Sequence, residues 1–348
     1  MAHIGIVGAG LAGAGAAYAL RDTDHDVTLV EKSRGVGGRA ATRRKHGCRY
    51  DHGANYVKDG DDRTVELIRE LGADGLVDVE EPVWTFGRDG EIEPSDRQES
   101  HKFTWEAGIT QFAKRLLAAT DAEVRTTVRA ASVARDADTG TWTVTDTDGD
   151  DHGPFDRLLL TPPAPQTAAL LAATAWDGDG GTLGALREAV EAVEFRTIRT
   201  LVLHYDFAVD VPWYAVVDVD KEHDVGWLAR EECKDGHVPD GESLLVVQMG
   251  PEWSLAHYDD PLDEAAATVA GKAADLVGDD RLADPDWADD QGWRYALPDT
   301  GLDPSAGAVE AAREAGLHLA GDWVAGEGRA HRALWSGVEA GERIDGSL

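Results

Sequence analysis

The sequence predicts an α/β fold: a domain with a parallel sheet, assembled from both ends of the chain, is interrupted by an inserted α+β domain with a mostly antiparallel sheet. Three observations lead to this prediction. A strand–helix–strand pattern occupies residues 3–31, several strand patterns follow one another over residues 198–250, and a buried strand followed by a helix returns over residues 316–344. The expected bounds are residues 1–58, 103–163 and 306–348 for the first domain, and residues 59–102 and 164–305 for the second.

Local patterns predict the elements in chain order. Residues 3–8 are apolar enough for a buried strand, residues 10–21 form a helix of small residues, and "DVTLVE" (26–31) is a second strand. The strand at 155–160 is stopped by the prolines that follow it, because proline removes a ladder donor. The other predicted helices are 62–72, 108–120, 261–278 and 332–344, and the other predicted strands are 142–149, 200–207, 214–220, 225–231, 243–250 and 316–323.

The charge of the chain is strongly negative. It carries 66 Asp and Glu against 33 Lys and Arg, a formal net charge of −33, and the acidic residues are spread along the whole sequence. The negative electrostatic potential of such a chain opposes binding to nucleic acid or to anionic lipid. Self-repulsion fades in about 1 M salt, where the Debye length is about 3 Å. We therefore interpret the chain as a protein of a salt-rich cytoplasm, as in an extreme halophile; an acidic mesophilic protein is the alternative.

Several classes of protein and site are not expected. The two cysteines, Cys48 and Cys233, cannot form a disulfide framework and fit a reducing cytoplasm. No apolar run is long enough for a membrane span, and the N-terminus lacks the pattern of a signal peptide. We find no metal-ligand spacing and no G-x-S-x-G nucleophile motif, so no metal is expected.

The first glycine motif identifies the first domain as Rossmann-like. Gly8, Gly10 and Gly13 stand at the spacing G-x-G-x-x-G between the first strand and the first helix. Gly8 permits the tight turn, Gly10 lets a pyrophosphate approach the backbone, and Gly13 lets helix and strand pack closely. Glu31 ends the second strand, where a carboxylate accepts hydrogen bonds from ribose hydroxyls. A chance glycine turn is the alternative, and no Walker-type phosphate loop is present.

A second glycine-rich segment follows at once. "EKSRGVGGRAATRR" (31–44) stands where a domain that binds NAD alone would continue into a helix. Such a loop can pass close to a longer cofactor, with Arg39 placed to pair with a phosphate. A flexible turn with a solvated arginine is the other interpretation.

Taken together, these motifs resemble the flavin-containing amine oxidase superfamily. The resemblance is carried by G-x-G-x-x-G, Glu31, "GVGGRAAT", "YDHGANYV" (50–57) and the terminal "GDW…LWSGVEAG". Within that superfamily the chain is most similar to the renalase-like NAD/FAD-dependent oxidoreductases, through "GWLARE", "MGPEWSLAHY", "GWRYA" and "LAGDW" in this order. The implied architecture is that of glutathione reductase and the amine oxidases, with a Rossmann-like FAD-binding domain and an inserted substrate domain.

The resemblance implies noncovalent FAD and a set of contact residues. The glycine turn would hold the pyrophosphate, Glu31 the adenosine ribose, and Arg39 a phosphate, while Val128 would offer its backbone to adenine. Asp322 would bind the ribityl chain or a phosphate. "WSGVEAG" is expected to open a helix whose N-terminus faces the pyrimidine end of the flavin and stabilises its reduced anion. The implied cofactor residues are Gly8, Gly10, Leu11, Ala12, Gly13, Glu31, Lys32, Gly38, Arg39, Gly53, Ala54, Asn55, Tyr56, Val128, Gly321, Asp322, Ser336, Gly337 and Val338.

The implied reaction is hydride transfer from a small planar reduced substrate. The renalase-like resemblance implies dihydronicotinamide isomers of NAD(P)H as substrate and oxygen as electron acceptor. Aromatic side chains stack on flat rings, and the candidates on the substrate side are His52, Tyr56, Tyr214, Trp227 and Trp335. Trp253 and His204 are further candidates, for which core packing or a structural hydrogen bond is the alternative.

Two other functions remain open. One is a flavin amine oxidase, or a dehydrogenase of the polyene or porphyrinogen type, on the same scaffold. The other is a flavin-binding protein without turnover. No lysine stands in a motif that assigns it to the flavin N5 atom, which argues against a conventional amine oxidase.

Overall fold

The fold is seen in a computed structural model that describes residues 1–95, 100–176, 180–303 and 306–348. The chain forms two units, the first from Met1–Arg39, Phe112–Phe195 and Leu297–Leu348, the second from Ala40–Gln111 and Arg196–Ala296. Within the described residues the helices are α1 (Leu11–Ala19), α2 (Asp62–Glu70), α3 (Thr110–Ala118), α4 (Ala164–Ala172), α5 (Gly180–Glu191), α6 (Pro251–Ala256), α7 (Leu262–Val277), α8 (Gly307–Glu314) and α9 (Ala330–Asp345). The strands are β1 (His3–Val7), β2 (Asp26–Glu31), β3 (Thr42–Lys45), β4 (Cys48–Asp51), β5 (Val57–Lys58), β6 (Leu76–Asp78), β7 (Val83–Phe86), β8 (Ile92–Glu93), β9 (Lys102–Trp105), β10 (Glu123–Thr126), β11 (Ala130–Arg135), β12 (Trp142–Asp146), β13 (Asp151–Phe155), β14 (Arg157–Leu160), β15 (Ala175–Trp176), β16 (Phe195–Tyr205), β17 (Ala215–Asp218), β18 (Val225–Arg230), β19 (Ser243–Met249), β20 (Trp287–Pro298) and β21 (Leu317–Leu319).

The first unit contains the parallel sheet that the sequence predicts. Its strands run in the order β10-β2-β1-β14-β21, and each neighbouring pair is parallel. Central strands are buried on both faces, so their sequences are apolar runs such as "RLLL" in β14. Because β21 comes from the C-terminal segment and β1 from the N-terminal segment, both ends of the chain build one sheet.

Small residues let α1 pack tightly against α9 in this unit. A Cβ atom on Gly337 would lie 1.9 Å from the Ala12 carbonyl oxygen, and one on Gly341 would lie 2.7 Å from the Ala16 carbonyl oxygen. Only glycine permits this approach, since real Cβ atoms do not come so close to backbone. The small-residue composition of α1, "LAGAGAAYA", therefore has a packing reason.

The second unit contains the mostly antiparallel sheet. Its order is β20-β16-β19-β18-β17-β7-β8, with antiparallel pairs throughout β16-β19-β18-β17 and one parallel pair between β17 and β7. Helix α7 buries Val269, Ala270 and Ala273 in the same apolar core as Leu245 and Val247. Each fully buried Val or Leu side chain contributes about 1.5–3 kcal/mol.

The bounds of the two units differ from the predicted domain bounds. Residues 40–58 and 103–111 lie in the second unit, and residues 164–195 lie in the first. The β3–β4 hairpin brings Cys48 and Tyr50 into an apolar cluster with Val202, Leu244 and Val246. Helices α4 and α5 pack into the core of the first unit, with Trp142 and Leu158. The predicted bound at residue 305 lies outside the described residues.

Candidate functional site

The first glycine motif forms a tight turn between β1 and α1. Gly8 has a φ of 100°, which favours glycine, and a Cβ on Gly13 would lie 2.0 Å from the Gly8 carbonyl oxygen. Gly10 is different, because its φ of −73° and ψ of −174° suit any residue, and a Cβ placed there would have the Gly37 carbonyl oxygen, 4.0 Å away, as its nearest neighbour. The described residues give no packing reason for glycine at Gly10, whereas a pyrophosphate against the backbone would.

The second glycine segment lies directly beside this turn. Gly37 forms a parallel bridge with Gly10, and its N–H donates to the Ala9 carbonyl oxygen at 2.9 Å. Gly37 and Gly38 have φ values of 103° and 57°, so both need the conformational freedom of glycine. The two motifs therefore form one glycine-lined surface around the N-terminus of α1.

Glu31 closes β2 and is buried beside the glycine turn, with 5% of its surface exposed. Its Oε2 accepts the Ala9 N–H at 2.8 Å and its Oε1 accepts the Ser33 N–H at 2.7 Å. A carboxylate has about four lone-pair sites, so it can accept ribose hydroxyls as well. The neighbouring Lys32 is exposed, and its ammonium donates to Gln166 at 3.2 Å. The Val128 N–H donates to the Glu31 carbonyl oxygen at 2.9 Å, so this backbone donor is already paired.

Arg39 and Asp322 pair with each other. Arg39 donates from Nη1 and Nη2 to the two carboxylate oxygens of Asp322, at 2.9 and 2.7 Å. The Asp322 side chain is 5% exposed and the Arg39 side chain 27%. The sequence assigned these two side chains to the cofactor separately. In the structure each restrains the other, and Asp322 also accepts the Trp323 N–H at 3.0 Å.

The C-terminal helix corrects one expectation. Helix α9 begins at Ala330, more than one turn before Trp335, so "WSGVEAG" lies inside the helix and does not open it. The expectation of a helix N-terminus at residues 335–338 was therefore wrong, because interior amides are already hydrogen-bonded within the helix. Ser336 accepts the Gly321 N–H at 3.1 Å, and Val338 is buried against Gly15.

In the second unit, the segment after β4 is held by side chains that sequence reasoning missed. Gln248 donates to the Gly53 carbonyl oxygen at 2.7 Å, and Trp293 donates to the His52 carbonyl oxygen at 3.1 Å. Ala54 and Tyr56 are half-buried, and the Asn55 amide donates to the Asp51 carbonyl oxygen. Burial, together with Arg43, lowers the pKa of His52 to about 4, so this ring is neutral at pH 7.

Three of the predicted substrate-side aromatics form one cluster. The ring centroids of Tyr56, Tyr214 and Trp227 are 6.2–6.3 Å apart in all three pairings. Tyr214 is completely buried, so its ring supports the other two and does not face a ligand. The Tyr214 hydroxyl and the Trp227 Nε1 have no hydrogen-bond partner among the described residues. Trp335 is half-buried on α9 in the first unit.

A fully buried ionic cluster lies behind Tyr214. The Lys234 ammonium is 2.6 Å from Glu231 Oε1 and 3.1 Å from Asp51 Oδ2, and all three side chains are 0% exposed. His237 bonds through Nδ1 to Glu231 at 2.8 Å and donates from Nε2 to the Trp105 carbonyl oxygen at 3.0 Å. The Lys234 ammonium lies between the two carboxylates, and this compensation of charge offsets the cost of burying them. Lys234 thus occupies the place that a cation would take between Asp51 and Glu231.

Sequence reasoning did not find this cluster. "REECKDGH" (230–237) has the composition of an exposed polar turn, and a single sequence carries no signal that Lys234 and Asp51 meet.

Within the described part of the chain, no helix combines the length and the apolar composition that crossing a bilayer requires.

The chain is similar to known proteins both at the level of families and in its fold. A model of the NAD(P)-binding Rossmann-like domain matches residues 6–71, and a model of flavin containing amine oxidoreductases matches residues 89–345, more than half of the chain. Two L-amino acid oxidases, from Crotalus durissus cumanensis and Crotalus durissus terrificus, are each 56% identical over 43 residues, 12% of this chain. The match spans only 9% and 8% of their lengths.

Solved structures share the fold at low sequence identity. Cyclohexylamine oxidase from Brevibacterium oxydans has a TM-score of 0.74 at 14% identity, over 100% of this chain and 99% of that one. Putrescine oxidase bound to putrescine has a TM-score of 0.72 at 13% identity, over 99% of each chain. Reduced UDP-galactopyranose mutase has a TM-score of 0.74 at 12% identity, over 100% of this chain and 94% of that one.

These likenesses show the fold, and the family model shows the class. The predicted α/β fold is confirmed, and the predicted flavin and oxidoreductase class are confirmed at the level of the family. The chain belongs to the flavin containing amine oxidoreductase family.

Proposed function

We propose that this protein is a renalase-like, FAD-dependent oxidase. Its substrates would be small planar dihydropyridines, namely the off-pathway dihydronicotinamide isomers of NAD(P)H. The flavin would take a hydride from the substrate and pass the electrons to oxygen. The observation that carries the substrate class is the aromatic cluster of Tyr56, Tyr214 and Trp227, whose ring centroids are 6.2–6.3 Å apart. The Trp227 Nε1–H in this cluster has no hydrogen-bond partner among the described residues.

We assign the dinucleotide to the first unit. Gly8, Gly10 and Gly13 would cradle the pyrophosphate at the N-terminus of α1, and Glu31 would accept the ribose hydroxyls. Arg39, held in place by Asp322, would present its guanidinium to a phosphate. The open space at the Gly10 Cβ position fits such a ligand. When bound, the flavin supplies a two-electron acceptor at N5 that can later be reoxidised.

Tyr56 and Trp227 would orient the substrate ring. Both are half-buried, and each rests on the fully buried Tyr214. The Trp227 Nε1–H is buried and lacks a partner among the described residues, so a carboxamide oxygen that reached it would satisfy it. A dihydronicotinamide has such an oxygen and a simple alkylamine lacks one. Hydride transfer from such a ring to the flavin would depend more on the orientation of the ring than on acid–base chemistry.

The candidate side chains offer no strong base, which also suits a dihydropyridine. The low pKa of His52, about 4, makes its ring a weak proton acceptor. Burial alone would lower the pKa of Lys234, but Asp51 and Glu231 outweigh burial and raise it, so the amine stays protonated. A dihydropyridine releases a hydride without losing a proton to a side chain, whereas an amine must first arrive deprotonated.

An anaerobic reduction experiment tests the proposal. The flavin-loaded protein in molar KCl is mixed with borohydride-isomerised NADH, with ordinary NADH, or with benzylamine, and the visible flavin band is followed. We expect rapid bleaching with the isomerised NADH alone, then recovery of colour and hydrogen peroxide when oxygen is admitted. Bleaching by benzylamine alone would establish an amine oxidase instead. A flavin that no donor reduces would favour a binding protein without turnover.

One observation favours the amine alternative. A net charge of −33 attracts cationic ammonium substrates and repels an anionic dinucleotide. That preference weakens in molar salt, where the Debye length is about 3 Å. The comparison of substrates must therefore be made at high and low salt, and a preference for NADH isomers that survives at low salt would support the first proposal most strongly.

The same charge supports a second part of the proposal, that the protein works in a salt-rich cytoplasm. Only 8 of the 33 basic residues are Lys, and the acidic residues are spread over both units. Concentrated salt would screen the repulsion between them.

A further inference from the structure

Three side chains with metal-binding atoms meet in the second unit, in a cluster that includes none of the residues assigned to the cofactor; one of them, His204, is a further substrate-side candidate of the sequence. One ligand atom each from Cys48, His204 and Glu242 lies within 4.8 Å of the other two. His204 Nε2 is 2.8 Å from Glu242 Oε2. Cys48 is 1% exposed and His204 is 7% exposed, so the thiol and the imidazole are withdrawn from water.

The sheet brings these residues together from distant parts of the sequence. Cys48 begins β4, His204 lies near the end of β16, and Glu242 immediately precedes β19. In the antiparallel register His204 stands opposite Leu244, which puts the end of β16 beside the start of β19. No short spacing motif could reveal this arrangement, and for that reason the sequence predicted no metal.

The imidazole of His204 is held in the manner of a metal ligand. Its ring stacks on Trp287, with centroids 5.0 Å apart and planes 11° from parallel. Its Nδ1 lies 3.4 Å from Asp286 Oδ2, yet this buried atom has no well-directed hydrogen bond among the described residues. A carboxylate behind the non-ligating nitrogen is the usual partner of a metal-bound histidine, because it fixes the tautomer and the ring orientation.

We propose that Cys48, His204 and Glu242 form a binding site for a thiophilic divalent cation, Zn²⁺ in the first place, with Asp286 behind His204 and water as the fourth ligand. On binding, the Cys48 thiol would release its proton to solvent. The thiolate, the carboxylate and the neutral imidazole then balance the charge of the cation. A thiolate ligand disfavours Mg²⁺ and Ca²⁺, which prefer oxygen.

The consequence would be a cross-link inside the second unit. The metal would tie the β3–β4 hairpin to β16 and to the start of β19. The Glu242 side chain is 34% exposed, which leaves room for solvent to reach the site and for the ion to enter. The role is therefore structural, and it does not depend on the proposed reaction.

Cobalt binding tests the proposal. Flavin-loaded protein is stripped of metal with a chelator and titrated anaerobically with Co²⁺, and spectra are recorded as differences from the metal-free sample. We expect one Co²⁺ per chain, a thiolate-to-cobalt band in the near ultraviolet, displacement by Zn²⁺, and a higher melting temperature with Zn²⁺ than without. No thiolate band in the wild-type protein would overturn the proposal.

Variants distinguish the site from nonspecific binding to the acidic surface. Cys233→Ser is the matched control, since this second thiol lies outside the cluster, and it should bind as the wild type does. Cys48→Ser should lose the thiolate band, and Glu242→Gln should keep the band with an affinity at least tenfold weaker. If Cys48→Ser retained the stoichiometry and affinity of the wild type, the ion would be bound elsewhere and the proposal would fail.

Discussion

Arg39 and Asp322, which are 283 residues apart in the sequence, form a bidentate ion pair with N–O distances of 2.9 and 2.7 Å. This pair ties the second glycine segment to the turn that follows β21. Because Asp322 is buried and Arg39 is partly exposed, the two partners do not contribute equally to stability. Losing Arg39 leaves a buried carboxylate unpaired, whereas losing the charge of Asp322 leaves an arginine that can reach water.

We therefore expect Arg39→Ala to destabilise the protein more than Asp322→Asn does. The expected cost of Arg39→Ala is about 1–3 kcal/mol, less than for a fully buried pair because Arg39 is partly exposed. Urea unfolding at constant KCl measures it. Arg63→Ala, which removes a surface pair with Asp61, is the control and should cost under about 1 kcal/mol. Equal losses for Arg39→Ala and Arg63→Ala would contradict this expectation.

Two glycine substitutions separate ligand binding from packing in the first turn. Gly10→Ala meets no clash and has an ordinary φ, so the flavin-free protein should keep its stability or gain about 0.4–1 kcal/mol. Its affinity for FAD should fall sharply, because the new methyl group occupies the space assigned to the pyrophosphate. Gly13→Ala should instead unfold the domain, since its Cβ would lie 2.0 Å from the Gly8 carbonyl oxygen. Flavin titration and urea unfolding of both apoproteins provide the test; tight FAD binding by Gly10→Ala would argue against the assignment.

The buried ionic cluster predicts a specific response to Lys234→Met. Removing the ammonium takes away the buried cation that both Asp51 and Glu231 contact, which should cost about 3–5 kcal/mol at pH 7. Lys234→Arg retains the charge but not the volume, and it separates loss of charge from loss of packing. Chemical unfolding of the three proteins gives the comparison, and a neutral effect of Lys234→Met would contradict the charge compensation proposed above.

The same cluster fixes the sign of a pH effect. Burial alone would raise the pKa of Asp51, but Lys234 and His237, together with hydrogen bonds from Thr42 and Ile109, outweigh burial and bring the pKa below the ordinary value of 3.8. A carboxyl with a depressed folded-state pKa stabilises the protein above its unfolded pKa, and this contribution is lost as the pH falls through the folded value. We expect wild-type stability from Asp51 to decline only below about pH 4. In Lys234→Met the carboxyls favour the protonated form, so lowering the pH from 7 to 5 should raise the stability of this variant; a decrease would count against it.

Two tryptophans of the second unit should respond differently to substitution. Trp227 belongs to the aromatic cluster, whereas Trp253 is 6% exposed and stacks on His257 with ring centroids 4.4 Å apart. Trp227→Leu should lower kcat/KM for the reduced substrate about 2–10-fold, the equivalent of about 0.5–1.5 kcal/mol for one ring contact, with little change in flavin content. Trp253→Leu should lower the melting temperature and leave kcat/KM of the remaining folded enzyme unchanged. The reverse pattern would transfer the substrate role to Trp253.

The sequence by itself determined the strand–turn–helix at each end of the chain, because these elements follow from local periodicity and from the conformations that only glycine adopts. It placed β2 at residues 26–31, where the structure has Asp26–Glu31, and it identified the turn of Gly8 and Gly13. It also included Tyr56, Tyr214 and Trp227 among several substrate-side candidates, because aromatic side chains stack on flat rings, and the structure then distinguished Tyr214 as a buried one.

Only the tertiary structure decided which charged side chains face each other. The pairing of Arg39 with Asp322, the cluster around Lys234, and the meeting of Cys48 with His204 and Glu242 all join residues from distant segments. The periodic pattern placed the last helix at residues 332–344, close to its observed start at Ala330, whereas the helix N-terminus expected at Trp335 was wrong; no capping side chain marks the true start. A hydrophobic pattern records which face of an element is buried, but these long-range charge pairs have no period in the sequence, because their partners come within a few ångströms of each other only in the packed fold.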